Sequence, residues 1–144
     1  MENIVIIDEK FSFRQGLKAL MELKFGRNFS INVKHPENLR KIDEGKPPKL
    51  IITEPSQNPI IENYLIEMKK QGAKVVLLSL EAEKVELNQI QFDGMLMKNM
   101  QTNQFLMILE EILEYDSVYI HPEIAYHLLK TVSIHIQDNH LQKV

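Results

Sequence analysis

Several polar side chains of this sequence stand directly after short apolar runs, where they could act together. They are three carboxylates, a hydroxyl and an ammonium: Asp8, Glu9, Glu54, Ser79 and Lys98. Clustered carboxylates repel one another and need a cation, and a hard divalent ion such as magnesium takes oxygen ligands. A lysine can neutralise part of that charge and reach a phosphoryl oxygen, to which a serine hydroxyl can also donate. An aspartate at position 54 would be a nucleophile for phosphoryl transfer, but this sequence has a glutamate there.

The elements that must position these side chains are five predicted strands. They lie at 4–7, 31–33, 50–53, 75–78 and 95–97, and apart from Asn32 and Thr53 their residues are apolar. Strands that are apolar throughout and separated by helical patterns indicate a parallel sheet covered on both faces. Right-handed crossovers then make a doubly wound five-stranded α/β domain. Because functional groups collect at the carboxyl ends of such strands, we expect the polar side chains to converge at one edge of the sheet.

Apolar residues recur at helical spacing between these strands. The clearest stripes lie at 13–21 and 105–113, and residues 61–68 predict a helix that stops near Gly72. The segment 36–45 predicts a weaker helix that carries Leu39 and Ile42 and ends near Gly45. The segment 85–90 is short and only weakly helical in its pattern.

The chain beyond residue 116 has a different pattern. We assign residues 1–116 to the α/β domain and 117–144 to a C-terminal helix and linker. His121-Pro122-Glu123 predicts a helix start, with proline at the first helical position and His121 at the cap. Residues 137–144 are polar and lack cap signals, so we expect a frayed end or linker there.

Composition excludes several classes of function. The formal net charge is −3, so the domain as a whole is not expected to bind nucleic acid by itself. The sequence has no cysteine, and its five histidines show no recognised ligand spacing, so we expect no metal site of the thiolate or histidine type. Neither a signal peptide nor a membrane span is evident, which favours a cytoplasmic location.

Four segments in order resemble receiver domains of two-component systems, close to the NarL/FixJ (LuxR-type) group. They lie at 4–9, 13–20, 93–98 and 118–125. The resemblance implies a flavodoxin-like receiver fold. It also implies that Asp8 and Glu9 form the acidic, magnesium-handling pair and that Lys98 is the family's pocket lysine. Ser79 matches the switch Ser/Thr, and Glu54 falls at the position of the phosphorylated aspartate.

Four features depart from that family. Glu54 carries one extra methylene, which pushes its carboxylate further into the pocket, toward Lys98. The place of Lys98 after a buried strand predicts a salt bridge to Glu54 or Asp8. Pro55 has no N–H to offer a phosphoryl oxygen. Met95 stands at the switch position, where many receivers have Tyr or Phe, and a flexible thioether would couple weakly to Ser79. The segment between Ser79 and Lys98 is also short, which predicts a truncated fourth helix.

The leading hypothesis is a phosphorylation-independent receiver of a transcription regulator, acting through dimerisation or a protein partner. The resemblance implies a homodimer through the first and last receiver helices, and contact with DNA only through a C-terminal domain beyond Val144. No enzymatic activity, cofactor or membrane partner is expected.

Three alternatives remain open at this point. The first is a receiver whose phosphorylation switch still works, with magnesium in the pocket. The second is a stand-alone protein-interaction adaptor. The third is an enzyme that uses the three carboxylates for metal-assisted phosphoryl chemistry, although no substrate pocket or general base is evident.

Overall fold

A parallel six-stranded sheet forms the centre of the protein. The computed structural model describes residues 1–41, 46–86 and 90–142. Within these residues the strands are β1 (Glu2–Ile7), β2 (Phe29–Lys34), β3 (Leu50–Thr53), β4 (Lys74–Ser79), β5 (Gly94–Met97) and β6 (Tyr119–Ile120). Their order is β2-β1-β3-β4-β5-β6, and every neighbouring pair is parallel. The predicted α/β class and parallel sheet are therefore confirmed.

Four α-helices in the described residues cover the two faces of the sheet. They are α1 (Phe11–Phe25), α2 (Pro59–Lys70), α3 (Thr102–Tyr115) and α4 (Pro122–Gln142), joined by short 3-10 helices at Pro36–Lys41 and Ala82–Lys84. Helices α1 and α3 pack on one face, against alternate strand residues such as Ile4, Ile52 and Leu96. Helix α2 packs on the other face, against the intervening residues. This alternation is the two-residue period of a strand buried on both sides.

The structure corrects two sequence-based expectations. The sheet has six strands where five were predicted, because Tyr119–Ile120 adds a short strand that pairs with Gly94–Met95. A two-residue strand leaves no periodic signal in the sequence. Residues 137–142 belong to helix α4, where a frayed end or linker was predicted, because no glycine or proline follows Pro122 to interrupt the helix. The division of the chain at residue 116 stays a prediction.

The start of α4 follows the predicted pattern. Pro122 is the first helical residue, and the ring nitrogen Nδ1 of His121 accepts a hydrogen bond from the backbone N–H of Glu123 at 3.1 Å. This bond satisfies one of the donors that a helix leaves unpaired at its beginning. The predicted role of His121 as a cap is therefore confirmed.

The connection from β4 to β5 is short, as the sequence predicted. In its described part it contains only the three-residue 3-10 helix Ala82–Lys84. Helix α4 covers this region instead, since Ile124 packs in a cluster with Ala82, Val85 and Met95. The predicted helix from Pro36 is a 3-10 helix that ends at Lys41, and Ile42 and Gly45 lie outside the described residues. Residues 87–89 of the predicted 85–90 segment also lie outside them.

Lys74 joins the amino end of β4 to the carboxyl end of α3. Its ammonium donates to the carbonyl oxygens of Ile112 and Leu113, which have no acceptor role inside the helix. It also forms an ion pair with Asp116, the residue that ends α3 in the left-handed conformation, with φ of 53°. The hydrogen bond from Lys74, followed by its charge, lowers the pKa of Asp116 from its ordinary value of 3.8.

This ion pair makes a testable prediction about pH dependence. Because the folded-state pKa of Asp116 is lowered, its stabilising effect is present above the unfolded-state pKa and is lost as the pH falls through the folded-state value. An NMR titration should show that Lys74→Met raises the pKa of Asp116 toward its ordinary value. The matched control is Lys49→Met, which removes a smaller electrostatic contribution to the same carboxylate and should move that pKa less. An equal effect of both variants would contradict the assignment to Lys74.

Candidate functional site

A buried ion pair lies at the carboxyl edge of the sheet, between the ends of β1 and β5. Lys98 follows β5, and its Nζ lies 2.7 Å from Oδ2 of Asp8. Asp8 is only 2% exposed, and the Lys98 side chain is 10% exposed. The other carboxylate oxygen of Asp8, Oδ1, accepts the backbone N–H of Lys10 at 2.8 Å. Both oxygens of this buried carboxylate are therefore satisfied by the protein itself, as burial of a charge requires.

Glu54 reaches the same lysine from the end of β3. Its Oε2 lies 3.7 Å from Nζ of Lys98, and its Oε1 accepts the backbone N–H of Glu9 at 3.0 Å. The predicted salt bridge from Lys98 is therefore present to both Asp8 and Glu54. We call these three residues, Asp8, Glu54 and Lys98, the charged pocket. It links the ends of β1, β3 and β5, whose parallel arrangement places them at one edge.

Sequence reasoning assigned Phe13 only to a helical stripe, but the structure places it in the pocket. Nζ of Lys98 lies 4.2 Å from the centroid of the Phe13 ring, which is within the range of a cation–π contact. Phe13 stands in the first turn of α1, so the connection after β1 carries it over the strand ends. The signal that could have identified it was an aromatic residue close behind the Asp8-Glu9 pair. The role of Lys10 was likewise not evident from the sequence, because Lys10 contributes only its backbone N–H, which donates to Asp8.

The other predicted site residues have different surroundings. Ser79 is 1% exposed, and its hydroxyl donates to the carbonyl oxygen of Glu81 at 2.7 Å, so it closes the turn after β4. Its own carbonyl oxygen accepts the backbone N–H of Lys98 at 2.7 Å. Met95 is buried and packs in the cluster with Ile124 on the α4 face of the sheet. Ser79 and Met95, which the resemblance assigned to the switch positions, therefore contact different neighbours.

Glu9 stands at the mouth of the site. Its side chain is exposed, and its backbone N–H holds Glu54. A cleft of about 620 Å³ opens beside it and is lined by residues that include Glu54, Pro55, Ser79 and Lys98. The charged pocket therefore faces this cleft through Lys98, 10% exposed, and Glu54, whose side chain is 24% exposed.

The donor set of the pocket does not fit magnesium. A magnesium site needs oxygen ligands that are free to face the ion in a near-octahedral arrangement. Here the Lys98 ammonium lies against the carboxylate oxygen of Asp8, and both oxygens of Glu54 face protein donors. In the described part of the chain, no group of three His, Cys, Asp or Glu side chains is arranged to hold a metal ion. The pocket is a carboxylate–ammonium cluster that neutralises itself in part.

The comparisons with known proteins identify the fold. No protein-family model matches the sequence, and no curated protein shows significant similarity to it. Among solved structures, the chain is similar to a LuxR family DNA-binding response regulator from Silicibacter pomeroyi, at 18% identity over 85% of this chain and 98% of that one, with a TM-score of 0.61. It is also similar to the two-component response regulator RcsB in complex with DNA, at 14% identity over 90% of this chain and 68% of that one, with a TM-score of 0.66.

A third similar structure is a CheY-like response regulator protein from Mesorhizobium loti. It matches at 12% identity over 76% of this chain and 96% of that one, with a TM-score of 0.54.

None of the described helices combines the length and the apolar composition that a membrane-spanning segment requires. At these identities the similarity concerns the fold, and the strand order and helix placement agree with it. The chain has the flavodoxin-like fold of CheY-type receivers.

Proposed function

We propose that this chain is the receiver domain of a two-component-type transcription regulator, and that it works without phosphorylation at residue 54. The fold supports the receiver assignment, and the charged pocket supports the departure from the usual switch. The single observation that carries the proposal is the position of Glu54. Its carboxylate already contacts Lys98 and the Glu9 N–H, which a phosphoryl group on this residue would have to displace.

Three further features support a pocket that is fixed. Pro55 follows Glu54 and offers no N–H to an added phosphoryl oxygen. The Ser79 hydroxyl is engaged with the Glu81 carbonyl. Met95, which packs against Ile124, stands where many receivers have Tyr or Phe. There is therefore no aromatic side chain at this position that a movement of Ser79 could shift from one orientation to another. A conformational switch needs a side chain with two discrete positions, and the packing around Met95 supports a single position.

On this proposal the chain acts by binding and not by catalysis, in the cytoplasm and without a cofactor. Regulation comes from assembly or from a protein partner. RcsB structures include a DNA complex and two dimers bound to two parallel DNAs, and these similarities support a homodimer here. Contact with DNA is assigned to a further domain, because this chain carries a net charge of −3.

Intact mass after incubation with acetyl phosphate and magnesium tests this proposal. We expect no mass increase of one phosphoryl group on the wild-type chain, because the Glu54 carboxylate is held by Lys98 and the Glu9 N–H. Magnesium alone is expected to leave the thermal unfolding midpoint unchanged, because the donor set does not fit the ion. A phosphoryl adduct on the wild-type chain would contradict the proposal and favour a working magnesium-dependent switch.

The variant Glu54→Asp separates two reasons for an absent adduct. It shortens the side chain by one methylene and withdraws the carboxylate from Lys98. An adduct on this variant and not on the wild type would assign the loss of the switch to residue 54. No adduct on either would assign it to the loop with Pro55 as well. Circular dichroism of both proteins should establish that each is folded.

A further inference from the structure

The exposed large apolar side chains are concentrated near the carboxyl end of the described chain. Of the twelve such residues in the described part, six lie between positions 115 and 132: Tyr115, Val118, Ile120, Tyr126, Leu129 and Val132. Single exposed apolar residues are ordinary on a protein surface, but a concentration of them marks an interaction site. The first turns of α4 carry two of the most exposed, Tyr126 at 71% and Leu129 at 68%.

Helix α4 has two different sides. One side carries Ile124, which is fully buried, and Leu128, which is partly buried; both pack in the cluster that covers β4 and β5. The other side carries Tyr126 and Leu129, three residues apart and therefore neighbours on the helix surface. This second side is apolar and, within the described part of the chain, exposed.

Two charged residues lie beside this apolar side. Glu123 and Lys130 are seven residues apart, which is close to two helical turns and about 10 Å along the axis. They therefore lie on nearly the same side of α4, next to Tyr126. Neither forms an ion pair with another described residue. We call these four residues, Glu123, Tyr126, Leu129 and Lys130, the α4 surface.

The α4 surface is complementary to itself in one orientation. In an antiparallel pair of α4 helices whose two-fold axis passes between positions 126 and 127, Glu123 of each copy lies level with Lys130 of the other. The two Tyr126 side chains then meet near the axis, and Leu129 covers the start of the opposite helix. A parallel, in-register pair would instead place Glu123 against Glu123 and Lys130 against Lys130, which is unfavourable.

We propose that the homodimer forms through this antiparallel contact between the α4 surfaces of two copies. The inference rests on the homodimer of the proposed function and specifies its interface. The resemblance implied pairing through the first and last receiver helices, α1 and α3. That face is less suited, because its charged side chains Lys24 and Glu110 are already paired within one chain at 2.7 Å. The exposed large apolar residues of these two helices in the described chain are Phe11, Leu23, Met107 and Tyr115, of which Phe11 and Tyr115 stand at helix ends.

Cysteine cross-linking tests the geometry directly, because the full chain contains no cysteine. In the variant Tyr126→Cys, the two introduced thiols lie near the two-fold axis and should form an intermolecular disulfide under mild oxidation. The matched control is Leu23→Cys, which is even more exposed on α1, at 87%, and should stay monomeric on a non-reducing gel. Cross-linking of Leu23→Cys in preference to Tyr126→Cys would overturn the proposal.

Charge reversal tests the pairing without the need for a disulfide. Analytical ultracentrifugation of the full chain should show that Glu123→Lys and Lys130→Glu each weaken the dimer by about tenfold, since each brings like charges together twice. The double variant should return to within about threefold of the wild type, because the pairs are restored with opposite polarity. Leu129→Asp should weaken it by about a hundredfold, since it places a charge in the apolar centre. Circular dichroism should show unchanged helix content in each.

The possible outcomes distinguish the interface from the proposed function. A dimer that Leu23→Asp dissociates and Leu129→Asp does not would overturn the α4 contact and leave the phosphorylation-independent receiver intact. A wild-type chain that is monomeric at all accessible concentrations would overturn the α4 contact as well. A double variant as weak as the single ones would show that Glu123 and Lys130 do not face each other. The phosphorylation assay is independent of all three results.

Discussion

Replacing Lys98 with methionine is expected to lower the free energy of unfolding by about 3–5 kcal/mol. The substitution keeps most of the length of the side chain but removes its ammonium. It leaves Asp8, 2% exposed, as a buried carboxylate without its counter-charge, and it removes the cation that Glu54 faces. A buried carboxylate that loses its counter-charge keeps only the hydrogen bond from the Lys10 N–H to offset the cost of its transfer from water. Urea denaturation monitored by circular dichroism would measure this loss.

The matched control is Lys24→Met. Lys24 also forms an ion pair at 2.7 Å, with Glu110, but their side chains are 41% and 38% exposed. Solvent screens such a pair, so its removal should cost no more than about 1 kcal/mol. Adding Asp8→Asn to the Lys98→Met variant should recover part of the loss, because the unpaired charge is then absent. Equal destabilisation by the two lysine substitutions would contradict a buried charged pocket.

Replacing Ile124 with alanine is expected to cost about 2–5 kcal/mol of stability, the usual range for a large aliphatic side chain removed from a packed interior. Ile124 is fully buried and packs against Ala82, Val85 and Met95. In its described part, the connection between β4 and β5 contains only the three-residue 3-10 helix Ala82–Lys84 to cover this part of the sheet. Ile124 is therefore the main contact through which α4 covers it. Urea denaturation would give the magnitude.

Leu23→Ala provides the control for Ile124→Ala. Leu23 is an aliphatic residue on a helix but is 87% exposed, so its truncation should change stability by no more than about 0.5 kcal/mol. Hydrogen exchange should further show that Ile124→Ala reduces protection in α4 and near residues 82–86 before it affects β1 and β3. An Ile124→Ala variant as stable as Leu23→Ala would show that α4 does not pack on the sheet.

The sequence by itself determined the layered α/β architecture and the edge at which the polar residues gather. Runs such as 4–7 and 75–78 are apolar at every position, which indicates strands buried on both faces. The apolar residues at 105–113 likewise follow the helical period of 3.6 residues, and they form the buried side of α3. The side chains of Asp8, Glu54 and Lys98 follow these strands directly, so parallel pairing brought them together.

Tertiary structure alone decided how those polar groups pair and what covers the sheet. The hydrogen bond from the Glu9 N–H to Glu54 joins residues 45 positions apart, and the placement of Phe13 over Lys98 depends on how α1 packs. The sixth strand was equally hidden, because two residues leave no periodic signal. The docking of Ile124 was hidden because it depends on contacts with Ala82 and Val85, about 40 positions away. Local periodicity reports which side of an element is buried. It does not report which distant element buries it, since that choice follows from chain packing in three dimensions.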